Sequence, residues 1–284
     1  MIEVRSSGMY STIQDLGRFG YGAYGVPVSG AMDQSAARLA NRLVGNADEA
    51  AVLEITITGP SLYFNIAAVI AITGAEFEAK QNGVVIAMNK PTKIVAGTNL
   101  IFGRAKHGMR CYLAIAGGFT SEVIMGSKSM CAGITNRTTL KKGDVLQFGT
   151  QKQQIPNTAS VVPQKKTNDA LTLEVYKGPE FSKLPETFPK HLFNKMLTVS
   201  SKSNRMAYLL EGFEGYALPE ILTAPVQPGT VQLTPSGQCI VLMRDAQTTG
   251  GYARILQLSE ASIDLLAQQR PGAKVKFKLL APTF

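Results

Sequence analysis

Cys239-Ile240-Val241-Leu242-Met243 is an unbroken apolar run short enough for a buried strand, and Ala253-Arg254-Ile255-Leu256-Gln257-Leu258 reads as a second strand. Between them stand Arg244-Asp245-Ala246-Gln247-Thr248-Thr249-Gly250-Gly251-Tyr252. Two short strands joined this way predict β structure. A hairpin link needs only about two to five residues, usually Gly, Asn or Asp. This one carries a guanidinium, a carboxylate, an amide and two hydroxyls before its two glycines. Gly250-Gly251 would let the backbone turn with φ > 0 and approach a ligand. Successive N–H groups beside Thr248 and Thr249 would form a concavity suited to an anionic oxygen. A polar turn that satisfies its own backbone accounts for the same residues.

The short-strand pattern continues toward the N-terminus, over residues 51–57, 67–73, 76–80, 84–88, 98–104, 109–116 and 145–148. Gly59-Pro60, Asn82-Gly83, Gly117-Gly118 and Lys142-Gly143 punctuate it, and Asn82-Gly83 is a strong hairpin signal. Strands so short and numerous indicate a barrel or a sandwich. Residues 2–5 and 9–13 flank Ser7-Gly8 and are expected to form an opening hairpin. One helix is clear over residues 33–44: Asp33 as N-cap, Ala36, Leu39, Ala40 and Leu43 at helical spacing, and Gly45 to stop it. A second, shorter helix follows Ser259, with Ile263, Leu266 and Ala267 inward. The alternation Lys274/Lys276/Lys278 reads as the solvent face of a last strand.

Residues 150–169, rich in Gln, Lys, Pro and Asn, read as a linker. Past them the organisation restarts: Glu54…Gly59-Pro60…Phe64 resembles Glu174…Gly178-Pro179-Glu180-Phe181, and Gly143…Phe148 resembles Gly272…Phe277. The expected architecture is two related β-barrel-like domains, residues 1–165 with the helix at 33–44, and residues 166–284.

A second polar, glycine-rich stretch runs from Gln14-Asp15-Leu16-Gly17-Arg18 to Val28-Ser29-Gly30 and leads into the Asp33 helix. Long ordered loops are more often functional than not, and a helix N-terminus favours anions. Ser29 and Asp33 would sit at that mouth; capping alone is the other reading of Asp33. Gly20-Tyr21-Gly22-Ala23-Tyr24-Gly25 is formally GxGxxG, but Pro27 and Gly30 follow where a dinucleotide site needs a helix. Arg205, in Ser203-Asn204-Arg205-Met206, is either a fixed guanidinium for a carboxylate or phosphate, or half of a salt bridge. The two loops are expected to meet over a shared cleft and hold one small anionic ligand, with Arg205 at its rim.

Composition bounds the rest. The 284 residues are 45% hydrophobic and 17% charged, with a net charge of +9, which describes a folded globular protein able to take an anionic ligand or acidic partner. The basic residues form no stripe with interleaved aromatics, so nucleic acid is not an expected partner. Cys111, Cys131 and Cys239 are odd in number and scattered, pointing to buried thiols in a reducing compartment. His107 and His191 have no ligand-spaced companions, so no metal site is expected. The chain enters strand-like Ile2-Glu3-Val4-Arg5 without a leader, and its longest apolar run is too short for a bilayer. A cytoplasmic location, with no membrane association, is the expectation.

Thr12-Ile13-Gln14-Asp15-Leu16-Gly17-Arg18 and Gly25-Val26-Pro27-Val28-Ser29-Gly30-Ala31-Met32-Asp33 resemble the N-terminal signature of the biotin-dependent carboxyltransferase family, also called allophanate hydrolase subunit 2 or KipA-like. Ser203-Asn204-Arg205-Met206, Pro228-Gly229-Thr230-Val231-Gln232, Asp245 to Tyr252, and Leu266-Ala267-Gln268 with Arg270-Pro271-Gly272 resemble its C-terminal signatures, in order along nearly the whole chain. Ala207 and Cys239 depart from it where glycine and proline are usual. The resemblance implies two cyclophilin-like β-barrel domains with a few short helices. It implies the C component of an ATP-dependent 5-oxoprolinase, opening 5-oxoproline to L-glutamate with a KipI-like B component and an A component. Other branches act as the carboxyltransferase component of urea-carboxylase-like enzymes, or as regulators antagonising a histidine-kinase inhibitor. ATP would be used by the complex. Covalent biotin is not expected here, since Ala87-Met88-Asn89-Lys90 lacks a lysine directly after methionine.

Opening a lactam needs its amide oxygen activated and a developing anion stabilised. The candidate catalytic groups are Asp15, Arg18, Asp245 and Thr249, the carboxylates to orient water or act as base and the others as electrophilic partners. Gln14, Ser29, Asn204, Arg205, Gln247, Thr248, Gly250, Gly251 and Tyr252 are the candidate substrate-binding residues.

Overall fold

The computed structural model describes residues 1–149, 170–213, 216 and 218–280; the expected linker over 150–169 lies outside the described residues. Among the described residues the structure is mostly β, with two barrel-like sheets and three α-helices. Two compact units divide it, Met1–Phe19 with Ser29–Lys165, and Gly20–Val28 with Lys166–Phe284.

The first unit is a ten-stranded sheet built on two long antiparallel strands, Ala68–Gln81 and Thr98–Ile115. Sequence reading splits each into two short strands, because glycine interrupts both patterns. The chain bends there instead of ending: Gly74 (φ +85°) and Gly108 (φ +76°) adopt left-handed backbone, and the register shifts repeatedly between Gly74 and Ala79. A Cβ at Gly74 would sit 2.6 Å from the Arg110 carbonyl oxygen, so the strands approach closely at the bulge. Bending lets both halves of each strand face one core, where Ile70, Ile72, Phe77, Leu100, Phe102 and Leu113 pack together. Asn82 and Gly83 form the expected tight turn, with φ of 46° and 88°.

The expected opening hairpin does not form. Ile2–Ser6 pairs with Ser61–Phe64 and Val145–Phe148, while Tyr10–Gln14 pairs with Val52–Thr56. Gly8 (φ +69°) lies against the Thr58-Gly59 backbone, and Met9 N–H donates to the Thr58 carbonyl at 2.9 Å. The link therefore satisfies itself on a distant turn and carries the chain to a different neighbour.

Helix α1 (Gln34–Leu43) begins as expected, with Asp33 accepting from the Ala36 N–H at 2.9 Å. It buries Ala37, Ala40 and Leu43 against Val52, Ala71, Tyr112 and Ala114 of the sheet. The Tyr112 hydroxyl accepts from the Asp33 N–H at 2.8 Å. Burial first, and Glu54 second, push this phenol well above its usual pKa, so it stays neutral while bracing the helix start.

In the second unit seven strands close into a barrel: Leu171–Lys177, Ala253–Leu258, Thr230–Leu233, Cys239–Leu242, Ala207–Glu211, Leu197–Val199 and Lys274–Leu279. The first and last run parallel, from Leu171 opposite Val275 to Val175 opposite Leu279, and make the closure. Lys274, Lys276 and Lys278 are exposed while Val275 and Phe277 are buried, as their alternation predicts. Helix α2 (Thr187–Asn194) escapes sequence reading because Pro189 suggests a break; within the first turn its missing N–H costs no helical bond. Phe188 anchors α2, its ring 4.6 Å from that of Tyr216. Helix α3 (Glu260–Ala267) starts at Ser259, which accepts from the Ser262 N–H at 3.3 Å, and buries Ile263, Leu266 and Ala267. Among the described residues no helix is long and apolar enough to cross a membrane.

All three cysteines are free and buried. Burial, with Glu54 second, raises the Cys111 thiol well above its usual range, and burial alone pushes Cys239 up to about 12. Native protein at pH 8 should therefore react with an aromatic disulfide reagent far more slowly than protein in guanidinium, where all three thiols titrate at once. Fast reaction of the native chain would contradict the buried placement.

Candidate functional site

In the first unit the polar loop is organised around the Asp15 carboxylate. One oxygen accepts from the Gly17 N–H at 2.8 Å, Ser127 Oγ at 2.7 Å and Ser129 Oγ at 2.6 Å; the other accepts from the Lys128 N–H at 2.6 Å. The Asp15 N–H donates back to Ser129 Oγ at 3.0 Å, and its carbonyl accepts from Ala31 N–H at 2.8 Å. A carboxylate holding four donors is a tether for the 127–129 segment, and the backbone carbonyl of the same residue holds the Ala31 end of the Ser29–Ala31 turn. Sequence reading passes over Ser127 and Ser129, which lie 112 and 114 positions from Asp15 and look like any loop serines.

Arg18 is buried, 1% exposed. One of its nitrogens, Nη2, donates to the Ser129 carbonyl, while Nε and Nη1 are shielded from solvent and find no hydrogen-bond partner among the described residues. Gln14 donates through Nε2 to Thr12 Oγ1 and to the Met130 carbonyl, both at 3.0 Å, and its Oε1 is likewise enclosed without a partner among the described residues. Such groups are rare in folded proteins and ask for an explanation. Ser29 is buried in left-handed backbone (φ +58°), followed by Gly30 (φ +93°). A Cβ on Gly30 would lie 2.8 Å from Gly17 N, so this turn packs its backbone on the Asp15–Arg18 segment.

In the second unit Arg205 and Asp245 form a two-pronged ion pair, Nε to Oδ2 at 2.7 Å and Nη2 to Oδ1 at 2.9 Å. Of the two sequence readings of Arg205, the salt bridge describes the geometry. Asn204 Oδ1 accepts from the N–H groups of Met206 at 2.8 Å and Ala207 at 3.2 Å, shaping the turn. Arg244 reaches the other way, to Glu260 at 2.9 Å and Asp264 at 3.3 Å, and fastens the loop to α3.

Residues 247–252 do not form the expected left-handed nest. Thr249–Gly250 is a short strand paired with Ala224–Pro225, and the flanking carbonyls of Thr248 and Gly251 accept from Val226 and Ile221. Neither Gly250 nor Gly251 has positive φ. Gly250 is needed for space instead: a Cβ there would meet Gln232 Nε2 at 2.6 Å, and Gln232 is 1% exposed. Gly250→Ala should cost about 1–2 kcal/mol by displacing that amide, read from urea unfolding. Unchanged stability would mean that Gln232 yields freely. Gln247, Thr249 and Tyr252 are exposed along this ribbon, with Thr248 partly so.

Among the described residues no group of three His, Cys, Asp or Glu side chains is placed to hold a metal ion. Gly22–Tyr24 of the GxGxxG-like stretch is a single 3₁₀ turn closed by Gly25 (φ +76°), and α1 starts only at Gln34. This geometry does not fit a phosphate cradle.

A carboxyltransferase-domain model, subdomains A and B, matches residues 24–279. The chain belongs to this carboxyltransferase-domain family. Within it, the chain is 38% identical to the C component of 5-oxoprolinase from Escherichia coli, over 98% of this chain and 90% of that protein. It is 33% identical to the C component of 5-oxoprolinase from Haemophilus influenzae, over 99% of this chain and 92% of the relative. The solved urea amidolyase of Kluyveromyces lactis superimposes with a TM-score of 0.89 at 30% identity, over 99% of this chain and 19% of the larger enzyme. This carboxyltransferase-domain fold thus stands alone as one component of an enzyme in one setting and as a segment of a long polypeptide in another.

Proposed function

We propose that the chain is the C component of an ATP-dependent 5-oxoprolinase, working in the cytoplasm with the A and B components to open 5-oxoproline to L-glutamate. The match to two bacterial C components over nearly their whole length carries this reading. The substrate is a small anion whose ring opening develops further negative charge, and a buried guanidinium with uncommitted N–H groups suits that charge. Arg18 would donate to it, Asp15 would position Arg18 by tethering Ser129, and Gln14 and Ser29 would line the same loop. In the second unit the Arg205–Asp245 pair and Asn204 would hold the ribbon from which Gln247 to Tyr252, Thr249 included, contact substrate or the KipI-like B component.

ATP would be consumed by the complex. Carboxyl transfer is the second reading, favoured by the superposition on urea amidolyase. Reconstitution separates them: the A and B components and this chain together should release glutamate from 5-oxoproline with ATP, and omission of this chain should abolish it. Normal turnover by the other two components alone would reject the proposed role.

A further inference from the structure

A cavity of about 350 Å³ opens in the first unit, with Lys128 and Met130 of the segment that holds Asp15 in its lining. Ile13, Phe119, Met130 and Leu146 give it an apolar wall. Lys128 also lines it; its ammonium donates to the Phe119 carbonyl at 3.2 Å and pairs with no carboxylate among the described residues. The Ser121 hydroxyl, in the same lining, is shielded from solvent and has no hydrogen-bond partner among the described residues. The second cation of the lining, Arg137, is already paired with Asp144 at 3.3 Å, and Glu122 is an exposed residue. A cavity of this size, mostly apolar with a few convergent polar groups, has the make-up of a small-molecule site.

We propose that this cavity binds a small carboxylate with a compact apolar body, its ring or chain against Phe119 and Met130 and its carboxylate between the Lys128 ammonium and the Ser121 hydroxyl. A half-buried ammonium whose formal charge is unmatched gains most from an anionic oxygen in such a setting. The site shares no lining residue with the candidate groups of the polar loops. It is nonetheless joined to them, because the Lys128 N–H holds Asp15 Oδ2 at 2.6 Å and Met130 carries the Gln14 amide at 3.0 Å. Occupancy would therefore be felt at the Asp15 tether.

The test is calorimetric titration of the purified chain with cyclopentanecarboxylate, its neutral analogue cyclopentanecarboxamide, and 5-oxoproline. At least one of the two carboxylates should bind about tenfold or more tightly than the carboxamide, as a charge-assisted contact requires. Lys128→Met keeps the backbone N–H to Asp15 and should erase that preference, with an unchanged circular dichroism spectrum. Val145→Trp, at a half-exposed lining position, should fill the cavity and weaken every probe. Binding of 5-oxoproline would make this the pocket of the ring-opened substrate; binding of cyclopentanecarboxylate alone would make it an effector site. Equal affinity for carboxylate and carboxamide, a preference that survives Lys128→Met, or no saturable heat from either carboxylate would overturn the assignment.

Discussion

Asp15→Ala should destabilise the first unit by about 3–5 kcal/mol, a large share of what a domain has to lose. The substitution removes one acceptor and strands the donors it held: the N–H groups of Gly17 and Lys128 and the hydroxyls of Ser127 and Ser129. A hydrogen bond to a charged acceptor contributes about 1.5–3 kcal/mol, and a buried donor left without one costs about 1–3 kcal/mol. These terms do not add, since the freed serines can turn toward each other and toward water. Asp15→Asn keeps the shape and one good acceptor and should fall between wild type and alanine. Urea unfolding followed by far-ultraviolet circular dichroism reads both. A loss below about 1 kcal/mol for the alanine variant would show that the four contacts are ornamental, and the positioning role given to Asp15 would go with them.

What was legible in the sequence was local. The Asp33 cap, the Asn82-Gly83 turn, the Ser259 cap and the exposed lysines of the last strand all follow from chemistry within a few residues, and the structure has each of them. Pairing between distant segments was not legible. Residues 2–5 and 9–13 look like a hairpin because they are close in sequence, yet each finds its partners about 40 or more positions away. The same limit hid Ser127 and Ser129, whose meaning depends on a carboxylate far up the chain. Gly250-Gly251 shows a different failure. Glycine reports that a side chain is unwelcome, but not whether the reason is a left-handed turn or a crowded neighbour; at Gly250 it is Gln232. Arg205 takes the salt-bridge reading that its sequence allowed, and its partner is Asp245, which read alone as a reactive group.

Arg18→Met should separate stability from activity. A buried guanidinium whose Nε and Nη1 find no partner among the described residues is an expensive group to keep in a fold. Methionine has similar reach and no charge, so the isolated variant should unfold at an unchanged or higher temperature, although the Nη2 contact to the Ser129 carbonyl is lost. Turnover should move the other way. If Arg18 meets charge that develops as the lactam opens, removing it should lower the rate of glutamate formation by the reconstituted complex by about 10²-fold or more. The loss should appear mainly in kcat, since a group that engages only in the transition state leaves substrate binding little changed. Lysine at the same position restores charge without the planar fork and should recover only part of the rate. A variant that is destabilised as well as inactive would mark the guanidinium as structural. Full activity with methionine in place would remove Arg18 from the reaction.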